Sequence, residues 1–182
     1  MPATKNNGFT LVELIIGLVV FSIAMTLFVS LIVPQAIRSV EPIFQVRAAE
    51  LGQALISEIS SKPFDENSSR VGGYTRCNEG TACTSINSVT NSNIEEGLGN
   101  REQFDDVDDY NNLNESGANI KNSLGATTNL YQGFSARVKV SYDADMDGGN
   151  PDTVVGNIKL ITVTITTPNN EDIIFSAYRA NY

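Results

Sequence analysis

The 182-residue chain contains no histidine. That removes the commonest general base and the commonest metal ligand, and with them any Ser/His or Cys/His catalytic pair. No glycine-rich phosphate loop occurs, and nothing marks out a carboxylate pair for acid–base work, so the chain reads as a non-enzyme. Positive charge is scarce. Twelve Lys+Arg face 21 Asp+Glu, a formal charge of −9, and a partner with a phosphate backbone needs a basic footprint, which excludes nucleic acid. Cysteine occurs only as Cys77 and Cys83. From Lys62 onward there are 9 basic and 17 acidic residues, so the negative excess sits in the C-terminal two thirds, as expected of a solvated head.

What the sequence does have is a long apolar run. From Leu14 to Val33, 20 consecutive residues carry no charge, and only Ser22, Thr26 and Ser30 are polar. At about 1.5 Å per residue such a run spans the ~30 Å hydrocarbon core of a bilayer, and in lipid it must be helical to satisfy its own backbone. A cleaved secretory signal fits poorly, because its apolar region is shorter and ends at a small-x-small site. Only Lys5 is basic ahead of the run. A plain anchor fits the length but gives no reason for Glu13, since a charge carried toward the bilayer interior costs roughly 3 kcal/mol and calls for a partner.

The stretch KNNGFTLVELIIGLVVFSIAM resembles the N-terminus of a type IV prepilin. In that family a short hydrophilic leader ends in Gly, then come Phe, a Glu four residues later and an unbroken apolar helix. The matching positions are Gly8, Phe9 and Glu13. The resemblance implies cleavage between Gly8 and Phe9 by a prepilin peptidase on the cytoplasmic face, N-methylation of the Phe9 amine, and retention of the apolar helix. It further implies that Glu13 of an incoming subunit meets the Phe9 amine of a neighbour. A buried carboxylate is tolerable when so paired, and the contact sets the register of other pilin subunits packed through this helix. The implied setting is the bacterial inner membrane, single-pass with a periplasmic head, in contact with lipid and the assembly machinery, and later the pilus at the cell surface.

Beyond Val33 the pattern becomes periodic. Val40, Phe44, Ala48, Leu51, Leu55 and Ile59 recur at three- and four-residue steps, one face of an amphipathic helix. The spacing predicts a helix from Phe9 to about Ser61, stopped by Pro63, with Pro34 and Pro42 as bends or loosened turns. The segmentation is therefore leader 1–8, membrane or filament-core helix 9–33, amphipathic half 34–61 and head 62–182.

The head divides into a loop-rich 62–131 and a sheet in 132–182. Ten Asn fall between Asn87 and Asn129, and Asn favours irregular, locally hydrogen-bonded turns. In CNEGTAC the cysteines enclose five residues. In an oxidising compartment, with no third cysteine, Cys77 and Cys83 form a disulfide, and a metal pair lacks further ligands. In FSARVKVSY, Phe134, Ala136, Val138, Val140 and Tyr142 alternate with polar residues, one face buried and one wet. NIKLITVTITT and DIIFSAYRANY follow as β-branched strands, completing a three-stranded antiparallel meander. The expected fold class is α+β, a long N-terminal helix packed on a C-terminal antiparallel sheet.

Two acidic stretches stand out. DADMDG resembles the opening of a calcium loop, with Asp143, Asp145 and Asp147 as weak metal candidates. The twelfth position, where an EF-hand places Glu, is Val154, and Pro151 occupies the ninth, so a solvated hairpin turn is the competing reading. No other cofactor is implied. FDDVDDY reads either as a solvated surface, pinned by Phe104, Val107 and Tyr110, or as a cation site or subunit contact. Finally RAAELGQALISEI, KPFDENSSRVGG, FDDVDDYNNL and FSAYRANY resemble the minor pilins of mannose-sensitive haemagglutinin (MSHA) type IV pili. That likeness implies a low-abundance subunit that starts, primes or caps a filament and so serves surface attachment. The alternatives are a minor pseudopilin of a type II secretion system, or a calcium-assisted adhesive tip.

Overall fold

The computed structural model describes residues 8–69, 76–86, 100–122, 124–148 and 154–182, with the side chains at 33, 34 and 36–40 excepted. The leader ahead of Gly8, much of the Asn-rich stretch from Asn87 and Pro151 lie outside these residues. The chain forms two units, Met1–Ile43 and Phe44–Tyr182. Helix α1, Leu11–Ser60, contributes to both, and its helical assignment runs through Pro34 and Pro42.

In the first unit α1 is apolar over Leu11–Ile32, with mean hydropathy 2.7 and none of its residues buried within the chain. A helix that is hydrophobic all round needs an apolar environment on every side. Its three hydroxyls are satisfied locally. Ser22 donates to the Leu18 carbonyl, Thr26 to Ser22 and Ser30 to Leu27, so none presents an unpaired polar group to a hydrocarbon surround.

In the second unit the rest of α1 lays a stripe of Ala48, Leu51, Leu55 and Ile59, all buried, into the head core, flanked by Phe44. The facing layer is a four-stranded antiparallel sheet: β1 (Asn114–Ser116), β2 (Ser135–Tyr142), β3 (Ile158–Thr166) and β4 (Asp172–Ala180), in that spatial order. The register places Val138 opposite Val163 and Val163 opposite Phe175. With alternate side chains on opposite faces, Ala136, Val138, Val140, Ile161, Val163 and Ile165 all point into the core. Gly52 sits where a Cβ would collide with the Phe175 ring, so helix and sheet approach there only because position 52 has no side chain.

The α+β arrangement agrees with the sequence. One element does not: β1 lies in the stretch expected to be loop. It is three polar residues long, so it has no alternation to reveal it. It exists because the chain beside it bonds to β2, Asn112 N–H to the Val138 carbonyl and Val138 N–H to the Leu113 carbonyl. Among the described residues between α1 and β2 there are also short 3-10 turns at Arg101–Gln103, Asp108–Tyr110, Gly117–Asn119 and Asn129–Tyr131. Phe104, Val107, Tyr110, Leu113 and Ile120 from this region complete the core.

Candidate functional site

Phe9 is 84% exposed, and among the described residues, its chain neighbour aside, no atom lies within 4 Å of where a Gly8 Cβ would stand. The Gly8–Phe9 bond thus lies just ahead of α1, between two exposed residues. Thr10 caps the helix: its hydroxyl oxygen accepts from Glu13 N–H at 3.3 Å, relieving one unpaired donor of the first turn. Glu13 lies in that first turn and is exposed. A carboxylate is favourable there, because the helix N-terminus carries partial positive charge. The motif is therefore a capped helix start, an accessible peptide bond and an anion one turn in.

Cys77 and Cys83 form a disulfide. Its loop is tied down on both sides. Thr84 N–H donates to Asp65 Oδ2 at 2.7 Å, the Tyr142 hydroxyl to the Thr84 carbonyl at 2.7 Å, and the Asn181 amide to the Cys77 carbonyl at 3.1 Å.

The head also buries two ionic clusters that the sequence reading missed. In the first, Arg101 is 4% exposed. Its Nε and Nη2 grip Glu58 at 3.1 and 2.6 Å, while Nη1 reaches Glu115 at 2.9 Å and the Lys121 carbonyl at 2.6 Å. The Tyr110 hydroxyl donates to Glu58 Oε1 at 2.8 Å. Burial opposes the guanidinium charge, but Glu58 and Glu115 outweigh it and hold the Arg101 pKa above its ordinary value. The cluster staples the end of α1 to the first 3-10 turn and to β1.

The second cluster surrounds Lys159, which is 0% exposed. Its Nζ lies 2.6 Å from Asp108 Oδ1 and 3.6 Å from Asp65 Oδ2, donates to the Phe64 carbonyl at 2.5 Å, and stands 4.1 Å from the centre of the Phe64 ring. Asp106, Asp108 and Asp109 are all buried. Asp106 Oδ1 accepts from Asp108 N–H and Asp109 N–H at 2.7 and 3.2 Å, and Asp109 Oδ2 from Asp105 N–H at 2.7 Å. Burial, then repulsion from Asp108 and Asp109, pushes Asp106 up to about 8. Burial also lifts Asp108, to about 6, against the attraction of Lys159. FDDVDDY is therefore neither a solvated surface nor an exposed cation site. Phe104, Val107 and Tyr110 pull the segment into the core, where Asp108 meets Lys159 while Asp106 and Asp109 accept from the segment's own N–H groups. A signal was present, since Lys159 shares the inward parity of Ile161, Val163 and Ile165 in β3.

In the loop after β2 the carboxylates of Asp143, Asp145 and Asp147 come within 4.8 Å of one another. Asp143 is buried, and its oxygens accept from Gly148 N–H at 3.0 Å, the Tyr178 hydroxyl at 3.0 Å and Asp147 N–H at 3.2 Å. Burial raises its pKa, yet these donors outweigh that and leave it below the ordinary value. A calcium ion would compete with internal donors for the same oxygens.

Residues 3–29 match the family model of the prokaryotic N-terminal methylation motif. No curated protein and no solved structure matches the chain. The motif, joined to an apolar helix consistent with membrane anchoring, supports a type IV pilin or pseudopilin subunit, a structural protein processed by a prepilin peptidase and assembled with other pilins.

Proposed function

We propose that the chain is a minor type IV pilin of the MSHA type, cleaved between Gly8 and Phe9, methylated on Phe9, held in the inner membrane by α1 and then drawn into a growing filament. The observation carrying this reading is the methylation motif at residues 3–29 running into an apolar helix none of whose residues over Leu11–Ile32 is buried by its own chain. Such a helix requires lipid before assembly and the helices of other subunits after it. Glu13 supplies the specificity, since in an apolar bundle its carboxylate is tolerated where the freed Phe9 amine of a neighbour offsets its charge. The head staples its own helix to its sheet through Arg101, so it arrives at the filament as a preformed body.

The test is mass spectrometry of the N-terminal peptide of the protein from native membranes. A chain beginning at methylated Phe9 supports the reading, and one beginning at Met1 refutes it. The same motif serves a minor pseudopilin of a type II secretion system. Deleting the gene separates the two readings, by loss of surface pili in one case and of protein secretion in the other.

A further inference from the structure

The geometry points to Lys159 and Asp108 as the two halves of an autocatalytic isopeptide bond inside the head. Their juxtaposition has the parts that this chemistry needs. The amine nitrogen lies 2.6 Å from Asp108 Oδ1, close to the carboxyl group it would attack. Among the described residues no donor meets either Asp108 oxygen in aligned hydrogen-bond geometry, which leaves the Lys159 nitrogen as its close partner. Lys159 is 0% exposed and Asp108 5%, and the Phe64 and Tyr142 rings, 4.1 and 5.2 Å from Nζ, shelter the amine. Attack needs an uncharged amine and a protonated carboxyl, so the step begins with one proton passing from Nζ to Asp108, across the 2.6 Å contact. Burial already moves Asp108 in that direction. A desolvated neutral lysine is also the nucleophilic form.

A third group completes the set. Asp65 Oδ2 stands 3.6 Å from the same Nζ, and Asp65 is 0% exposed. In the step, the Lys159 lone pair forms a bond to Asp108 Cγ. The Asp65 carboxylate takes a proton from the nitrogen and returns it to the departing Asp108 hydroxyl. Water leaves, an amide remains, and Asp65 is regenerated. No oxidant or external reagent is consumed. The product joins β3 to the segment that carries the 3-10 turn Asp108–Tyr110, exchanging two costly buried charges for one amide. The inference concerns the head alone and does not depend on the proposed filament role.

The experiment is peptide mapping of the full-length protein, purified from membranes in detergent, reduced, alkylated and digested with trypsin. The expected result is a branched species in which the Lys159 and Asp108 peptides are joined, lighter than their sum by one water, with cleavage after Lys159 lost. Free Lys159 and Asp108 peptides, with normal cleavage, would overturn the proposal. Asp108→Ala is expected to abolish the branched species, but the wild-type map decides the matter even if that variant does not fold. In folded Asp65→Asn the linked fraction is expected to fall several-fold, and complete linkage there would remove Asp65 from the step.

Discussion

Arg101 and Glu58 meet as a two-pronged pair, Nε to Oε1 at 3.1 Å and Nη2 to Oε2 at 2.6 Å, with the arginine side chain 3% exposed and the glutamate 13%. Glu58 is in the last turn of α1, where helix carbonyls make a carboxylate unfavourable. Its placement there makes sense only with Arg101 and the Tyr110 hydroxyl upon it. Removing the arginine strands two carboxylates, Glu58 and Glu115, and uncompensated buried charges cost about 3–5 kcal/mol. We expect Arg101→Met to lower head stability by roughly 3 kcal/mol. Arg101→Lys should recover only part of it, because an ammonium cannot span both oxygens of Glu58 and still reach Glu115. Thermal melts of the full chain in detergent measure both, and an Arg101→Met midpoint equal to wild type contradicts the staple.

Asp106 makes the head sensitive to base. Its folded pKa of about 8 lies above the unfolded value of 3.8, so the folded state holds the extra proton between those limits. The associated stability is complete below the unfolded value and is lost as pH rises through about 8. The melting midpoint should therefore fall as pH rises from the unfolded value of 3.8 to about 8 and level off above it. Each kcal/mol lost corresponds to about 2–4 °C for a domain of this size. Asp106→Asn keeps an acceptor for the Asp108 and Asp109 N–H groups but cannot ionise, and it should flatten the decline. A variant that declines as steeply as wild type would move the effect elsewhere.

Gly52 tests the helix–sheet contact. Alanine favours a helix interior over glycine by about 1 kcal/mol, so on propensity alone Gly52→Ala stabilises. The Phe175 ring occupies the space its Cβ needs, and overpacking costs about 1–3 kcal/mol. We expect net destabilisation, relieved in the double variant Gly52→Ala/Phe175→Leu, with additivity of the two changes as the result that excludes the contact.

The parts of this fold that were legible in the sequence are those governed by one periodicity. Leu51, Leu55 and Ile59 announce a helix face, and Val138, Val140 and Tyr142 a strand face, because a single element buries them. The ionic clusters were not legible. Arg101, Glu58 and Glu115 come from three distant elements, and no local spacing joins them. FDDVDDY misled, because four aspartates in a row of seven residues read as solvated surface until the aromatic residues beside them are seen to drag them inward. β1 escaped notice for a related reason, since its pairing depends on its neighbour rather than on its own residues. The N-terminal motif, matched over residues 3–29, was readable without any of this, because Gly8, Phe9 and Glu13 stand together in one short stretch of chain.

Glu13 gives the sharpest test of assembly. In the isolated chain it is exposed, in the first turn of α1, on a helix whose other faces are apolar. Nothing in its own fold needs it, apart from a modest helix-end interaction of about 0.3–1 kcal/mol. Glu13→Ala should therefore leave head folding, membrane insertion and cleavage before Phe9 unchanged, while the amount of protein recovered in sheared filaments falls several-fold. Glu13→Gln keeps the shape but not the charge. If pairing with a neighbour's amine is what matters, it should fail nearly as badly as alanine, whereas a role limited to hydrogen bonding would let it assemble. Immunoblots of membrane and filament fractions from both variants separate these outcomes, and normal incorporation of Glu13→Ala would end the charge-pairing account.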